Sequence, residues 1–145
     1  MTTVKAIPEG YHRLTPYLTV NDAKALIEFL KQAFDAKLVY QHSRPDGSVG
    51  HAEVEIGDSK VMIGQASDEW KARPGTLYMY VEDVDATYRR AMDAGATSVR
   101  APQTEFYGDR SGGVQDSQGN QWWMAAHVED VSPEEVERRA KELGR

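Results

Sequence analysis

The spacing of apolar residues along the chain changes from strand-like to helical twice, in the same order. Residues 15–20 alternate apolar and polar side chains as a half-buried strand does, and residues 76–81 repeat that alternation. A helical period follows each strand, behind Asp22 in the first copy and Asp83 in the second, and aspartate at these positions is typical of an N-cap. The apolar stripes of the two predicted helices consist of Ala23, Leu26, Ile27, Leu30 and Phe34, and of Val84, Tyr88, Ala91 and Met92.

The two strand-to-helix segments are also similar residue by residue. The run Thr15-Pro-Tyr-Leu-Thr-Val-Asn-Asp-Ala-Lys-Ala aligns with Thr76-Leu-Tyr-Met-Tyr-Val-Glu-Asp-Val-Asp-Ala at an offset of 76 − 15 = 61 residues. The threonine, tyrosine, valine, aspartate and final alanine coincide. Chance is a poor explanation for this agreement, so the chain contains an internal repeat.

Turn signals then divide the rest of each half into short strands. Asp46-Gly47 and Gly57-Asp58 separate strand-like runs in the first half, and Gly112-Gly113 and Gln118-Gly119-Asn120 do so in the second. Each half is therefore predicted to be a β-α-β-β-β module. We expect one domain over residues 1–145, with module one at about 12–64, a linker at 65–75, module two at about 76–127, and a C-terminal helix at about 132–143 behind Ser132.

Composition narrows the possible functions. The chain has 145 residues, of which 40% are hydrophobic and 28% charged, as in a water-soluble globular domain, and no apolar run is long enough to span a membrane. The absence of cysteine excludes disulfides, thiol catalysis and thiolate metal sites. A net charge of −6 disfavours nucleic-acid binding. With no secretory signal at the N-terminus, we expect a cytoplasmic protein without membrane or nucleic-acid partners.

Paired modules of this kind resemble the vicinal oxygen chelate superfamily, which contains glyoxalase, bleomycin-resistance and extradiol dioxygenase proteins. The resemblance covers about residues 12–127 and is nearest to the PhnB-like branch, through Thr15-Pro-Tyr-Leu, Pro45-Asp-Gly, His51-Ala-Glu, Ile56-Gly-Asp-Ser, Gly108-Asp-Arg, and the run from Trp122 to Glu135. It implies an α+β fold in which two βαβββ modules form a cupped mixed sheet around a pocket, followed here by a C-terminal helix. It also implies a homodimer.

The resemblance further predicts which residues occupy the metal-binding positions of the enzymes in this superfamily. Those enzymes take one ligand from the first strand and one from the last strand of each module. Counting along this chain places Thr15 and Thr76 at the usual histidine positions and Trp123 at one glutamate position; the other falls among Val61, Met62 and Ile63. None of these side chains is a strong ligand for a divalent cation. We therefore expect a degenerate site with no metal and no cofactor.

Strand alternation then predicts the lining of the cup. Leu18, Val20, Leu77, Met79 and Val81 should pack under the helices. The alternate residues of the same strands should face away from the helices, and two interpretations of their aromatic side chains remain open. They line an open pocket for a flat or cationic ligand, or they fill the space as packed core. The side chains expected to point into the cup are Thr15, Tyr17, Thr19, Thr76, Tyr78, Tyr80 and Trp123.

Two polar segments add candidate ligand-binding residues. His51 and Glu53 share a strand face with Glu55. This face either lines the cup or is exposed to solvent at a sheet edge. If it lines the cup, His51 and Glu53 could form a general acid/base pair. Arg110, in the segment Gly108-Asp-Arg, either meets a polar ligand group at the rim of the pocket or forms an internal ion pair, and Asp109 either meets the ligand or caps a turn. His12, His42 and His127 are predicted to be surface residues.

Two hypotheses for function follow. The first is a glyoxalase/bleomycin-resistance-like protein that binds a small aromatic or cationic molecule without a metal. The second is a metal-dependent lyase or isomerase of the glyoxalase class, with His51 and Glu53 as ligands in place of the expected positions. The sequence does not decide whether the protein is an enzyme.

Overall fold

A computed structural model describes residues 3–145, and the chain divides between Gly75 and Thr76 into two compact units. The first unit contains β1 (Tyr17–Val20), α1 (Ala23–Phe34), β2 (Lys37–Ser43), β3 (Val49–Ile56) and β4 (Ser59–Gln65). Its sheet has the order β1-β4-β3-β2, in which β1 is parallel to β4 and the other pairs are antiparallel.

The second unit repeats this topology. It contains β5 (Thr76–Tyr80), α2 (Val84–Asp93), β6 (Thr97–Thr104), β7 (Asp109–Gln115) and β8 (Gln121–His127). The sheet order is β5-β8-β7-β6, again with one parallel pair, β5 and β8. Helix α3 (Pro133–Glu142) follows. The predicted α+β class, with two βαβββ modules and a C-terminal helix, is confirmed.

The predicted capping residues begin all three helices. The side chains of Asp22, Asp83 and Ser132 accept hydrogen bonds from the backbone N–H groups three residues further on, at 3.0, 3.0 and 3.2 Å. These bonds satisfy N–H groups that have no partner within a helix. Helix α1 ends at Asp35, whose φ of 56° is left-handed, and Gly95 takes that conformation after α2 with a φ of 107°.

Helices α1 and α2 each pack on one face of the sheet in their own unit. Helix α1 contacts β3, β1 and β4, and α2 contacts β7, β6 and β8. The buried side chains of the first unit include Leu26, Leu30, Val20, Val54 and Ile63; those of the second include Val84, Ala91, Val114, Trp122 and Met124. Because side chains alternate along a strand, the residues between these core positions lie on the opposite face of each sheet.

Within residues 3–145, no helix combines the length and the apolar character that crossing a bilayer requires.

The turn between β7 and β8 is built around a buried carboxylate, Asp116. Its oxygens accept hydrogen bonds from the Gln118 and Asn120 backbone N–H groups at 2.8 and 3.1 Å, and from the Trp122 indole N–H at 2.7 Å. Asp116 and Trp122 are 5% and 1% exposed. The turn therefore fixes the register of β8 by holding the largest side chain of the core.

We predict that Asp116→Ala lowers the free energy of unfolding by about 2–3 kcal/mol, because it leaves buried N–H donors without an acceptor. Urea denaturation measures the change. The matched control is Asp58→Ala, since Asp58 is an exposed aspartate in the equivalent turn of the first unit. Equal stability losses in the two variants would contradict this role for Asp116.

Candidate functional site

A cluster of four polar side chains lies on the helix-free face of the second sheet. Strand register places Tyr78, Tyr80 and His127 on the same face as Asp109, which is only 7% exposed. One Asp109 oxygen, Oδ2, accepts hydrogen bonds from the Tyr78 and Tyr80 hydroxyls, both at 3.1 Å. The other, Oδ1, lies 3.0 Å from His127 Nδ1. We refer to these four residues as the Asp109 cluster.

The hydrogen bonds hold Asp109 in its ionised form. Burial raises the pKa of this carboxyl, but the bonds from His127, Tyr78 and Tyr80 outweigh burial and the net shift is downward. Burial and the bond to Asp109 raise the pKa of Tyr78, and the bond to Asp109 raises the pKa of Tyr80. Both phenols therefore stay protonated.

Each of these tyrosines donates its single hydroxyl hydrogen to Asp109, so its oxygen meets any further group as an acceptor. Tyr78 and Tyr80 are 48% and 67% exposed. The face thus presents tyrosyl oxygens, with Tyr80 the more open, that require a hydrogen-bond donor as partner.

Trp123 lies beside the cluster on the same face. Its indole covers Gly113, where a Cβ atom would come within 2.7 Å of the ring. The Arg100 guanidinium sits 5.1 Å from the ring centroid and bonds Glu105 Oε1 at 2.5 Å and Ser111 Oγ at 2.6 Å. The protein therefore places a cation of its own against this indole, which shows that the ring accepts one.

A second polar network occupies the helix-free face of the first sheet. The Tyr17 hydroxyl lies 3.3 Å from His51 Nδ1, and His51 Nε2 lies 3.0 Å from Glu53 Oε2. The Tyr11 hydroxyl donates to Glu53 Oε1. That bond, then the one from His51, lowers the pKa of Glu53, while the bond to Glu53 raises the pKa of Tyr11 to about 12.

The ionised Glu53 determines where the hydrogen of His51 sits. A carboxylate only accepts hydrogen bonds, so Nε2 of His51 carries the hydrogen that it receives. In the neutral imidazole, Nδ1 is then the acceptor and faces the Tyr17 hydroxyl. Tyr17, His51 and Glu53 form a chain in which each group orients the next.

The remaining predicted site residues are placed as follows. Thr19 is half-buried on the same face as Tyr17, next to Gly64. Thr15 precedes β1, and Thr76 is the exposed first residue of β5. His51 and Glu53 lie on β3, which is an interior strand of its sheet, so the sheet-edge alternative does not hold.

The structure corrects the assignment of Arg110 to the ligand-binding set. Its guanidinium forms two bonds to Asp85 in the first turn of α2, at 2.7 and 2.9 Å, so it lies on the helix-covered face of the sheet. Adjacent strand residues point to opposite faces, and Asp109 is the member of this pair that faces Tyr78 and Tyr80. The internal ion pair is therefore the alternative that describes Arg110.

The donor set at the superfamily's metal positions does not fit a divalent cation. Tyr17 pairs with Met62 in register as Tyr78 pairs with Trp123, so Met62 is the counterpart of Trp123. A thioether, an indole and the hydroxyls of Thr15 and Thr76 offer neither charge nor imidazole nitrogen. Over residues 3–145, no three His, Asp or Glu side chains form a group able to hold a metal ion.

The sequence does not identify His127, Arg100 or Tyr11 as site residues, and it leaves open whether Asp109 meets a ligand or caps a turn. Asp109 follows Gly108, and the sequence does not reveal whether β7 begins before or after it, so its face could not be assigned from alternation. His127 ends β8 with its side chain half exposed, as the surface prediction expected, yet both its ring nitrogens are bonded, Nδ1 to Asp109 and Nε2 to Asp130 at 2.7 Å.

We predict a pH-dependent contribution of the pair of His127 and Asp109 to stability. The bonds to Asp109 and Asp130 raise the pKa of His127 above 6.5, so its contribution is complete below pH 6.5 and is lost as pH rises through the raised value. Asp109, with its pKa lowered below 3.8, contributes above pH 3.8, and this is lost as pH falls through the lowered value. The Tm deficit of His127→Gln should therefore be largest between pH 3.8 and pH 6.5 and shrink above that window.

The measurement is a series of thermal unfolding curves for both proteins across that range. His12→Gln is the control, because His12 is exposed, and its deficit should not vary in this way. A deficit of His127→Gln that grows with rising pH would contradict the assignment.

Comparison with known proteins agrees with the geometry. Residues 10–124 match the sequence profile of the Glyoxalase/Bleomycin resistance protein/Dioxygenase superfamily. The uncharacterised protein Mb0911c of Mycobacterium bovis is 33% identical over 142 residues, which cover 90% of this chain and 93% of that protein.

Solved structures show the same fold. TioX from Micromonospora sp. ML1 superimposes with a TM-score of 0.70 at 24% identity, over 81% of this chain and 99% of TioX. A glyoxalase/bleomycin resistance protein/dioxygenase family enzyme from Burkholderia phytofirmans PsJN gives a TM-score of 0.66 at 17% identity, over 79% of this chain and 97% of that chain. The profile match and the mycobacterial relative identify the chain as a member of the Glyoxalase/Bleomycin resistance protein/Dioxygenase superfamily.

Proposed function

We propose that this protein binds a small organic cation, without a metal, on the helix-free face of its second module. The observation that carries the proposal is a buried, ionised Asp109 that takes the hydroxyl hydrogens of two exposed tyrosines. The tyrosyl oxygens then accept hydrogen bonds from a ligand, so the ligand has to bring donors. Ammonium, guanidinium and protonated heteroaromatic groups supply donors together with positive charge.

The aromatic rings of the same face favour the same ligands. Tyr78 and Tyr80 meet edge to face, with their centroids 5.7 Å apart, so their ring faces point in different directions. A cation held against such a ring gains about 0.5–2 kcal/mol. The negative charge of Asp109 adds a longer-range attraction that needs no direct contact. Trp123 belongs to this site as a flat wall, and Thr76 contributes a hydroxyl at its margin.

We also propose that the protein belongs to the PhnB-like branch, which the motifs near His51 and Trp122 support, and that it forms a homodimer, which the resemblance to the superfamily implies. The alternative of a metal-dependent lyase at His51 and Glu53 has less support. Both oxygens of Glu53 accept hydrogen bonds within the protein, and His51 Nε2 bonds one of them. A metal ion at this pair would have to displace those donors.

The test compares ligands that differ only in their donors. We expect benzylammonium to bind about tenfold more tightly than benzyltrimethylammonium, a difference of about 1.4 kcal/mol, because only the primary ammonium can donate a hydrogen bond to a tyrosyl oxygen. Benzyl alcohol, which lacks the charge, should bind more weakly than benzylammonium. Isothermal titration calorimetry in the presence of EDTA gives the three Kd values with divalent metal excluded.

Variants identify the site. Tyr80→Phe should remove most of the difference between the two cations, since it deletes the more open oxygen and keeps the ring. Tyr88→Phe is the control, because the Tyr88 hydroxyl bonds Ser98 on another part of the module. Equal affinities for the two cations in the unmodified protein, or binding only when a divalent metal is added, would contradict the proposal.

A further inference from the structure

The chain of Tyr17, His51 and Glu53 in the first module has the arrangement of an activated nucleophile. A hydroxyl lies 3.3 Å from an imidazole nitrogen, and the other imidazole nitrogen lies 3.0 Å from a carboxylate. A nucleophile, a base and a group that orients the base are the three parts that nucleophilic catalysis needs. The hydroxyl-to-base distance in a protein without ligand is often longer than in the reacting complex.

We propose that Tyr17 is a nucleophile that accepts an acyl group from activated esters or thioesters, with His51 as its general base. The Tyr17 Oη atom attacks the acyl carbon and forms a new C–O bond while its proton passes to His51 Nδ1. The bond from the acyl carbon to the leaving oxygen or sulfur breaks, and the leaving group receives the proton from His51. Water then hydrolyses the tyrosyl ester to release a carboxylic acid and restore Tyr17.

Glu53 acts as a positioning residue in this step. Its carboxylate receives the Nε2 hydrogen of His51, which leaves Nδ1 as the lone pair that faces Tyr17. It also stabilises the imidazolium that forms when the proton arrives. Tyr11 donates to the second oxygen of Glu53 and so fixes the orientation of the carboxylate.

The exposed tyrosines of the protein differ in what their hydroxyls contact. Tyr17 and Tyr40 are similarly exposed, at 55% and 52%, and both lie against His51. Both rings lie near the imidazole, with centroid distances of 5.7 Å for Tyr17 and 6.3 Å for Tyr40, and Tyr17 in addition brings its hydroxyl to 3.3 Å from Nδ1. Tyr80 gives its hydrogen to an ionised carboxylate, which raises its pKa and opposes loss of the proton. These tyrosines therefore serve as internal comparisons.

Gly64 fixes the position of the Tyr17 hydroxyl. A Cβ atom on Gly64 would lie 2.7 Å from Tyr17 Oη, so the phenol lies over a residue whose missing side chain leaves room for it. Because the obstructed atom is the far end of a side chain, Gly64→Ala should move the hydroxyl while the sheet stays folded. This variant keeps all three functional groups and changes only their geometry.

The experiment treats the whole protein with 4-nitrophenyl acetate and follows acetylation of each tyrosine by peptide mass spectrometry. We expect Tyr17 to be acetylated at least about tenfold faster than Tyr40 or Tyr80, since a positioned general base contributes rate factors of that order or more.

Four variants separate the roles. His51→Gln, Glu53→Gln and Gly64→Ala should each reduce the rate at Tyr17 toward that of Tyr40, with circular dichroism reporting that the variants fold. Tyr17→Phe should abolish the initial burst of nitrophenolate. A burst that survives in Tyr17→Phe would assign the nucleophile to another group, and equal acetylation of Tyr17 and Tyr40 would show that His51 does not assist; either result overturns the proposal. The cation site of the second module is not involved in any of these outcomes.

Discussion

In each unit, one helix covers one face of the four-stranded sheet and leaves the other face uncovered. This determines where apolar and polar side chains are placed in the rest of the unit. The apolar side chains of α1 and α2 bury one face of each sheet, around Leu26 and Ile63 in the first unit and Ala91 and Met124 in the second. Strand alternation then sends every second residue to the other face. That face is where the tyrosines, carboxylates and histidines collect, because nothing requires those positions to be apolar.

The two modules keep the same framework and use different positions for their chemistry. Strand register makes Gly113 the counterpart of Glu53, since they pair with Trp123 and Met62 respectively. The glycine leaves room for the indole of Trp123, so no carboxylate can occupy that place. Asp109, at the beginning of the same strand, provides the negative charge instead. In both modules the carboxylate accepts hydrogen bonds from tyrosyl or imidazole groups. It thereby determines which tyrosyl and imidazole atoms are left as acceptors for another group.

The sequence predicted the elements in which apolar side chains recur at the regular spacing of a strand or a helix. The repeat at an offset of 61 residues identified both first strands, and the helical stripes and Asp22 and Asp83 identified both helices. Alternation does not predict which way side chains point in irregular strands. Strand β6 changes register on both sides of Arg100, so alternation could not show that this arginine reaches Trp123. The beginning of β7 is equally undefined in the sequence, so alternation could not show that Asp109, rather than Arg110, faces Tyr78 and Tyr80.

The hydrogen bonds that Asp109 and Glu53 accept within the protein affect which ligands could approach them. Asp109 accepts hydrogen bonds from His127, Tyr78 and Tyr80, and Glu53 from His51 and Tyr11. A cation that coordinated either carboxylate would first have to remove these donors and leave them in a half-buried environment, at a cost of about 1–3 kcal/mol for each. A ligand that instead approaches the outward tyrosyl oxygens adds hydrogen bonds and removes none. The geometry of both faces therefore favours organic ligands that extend the existing networks over metal ions that would replace them.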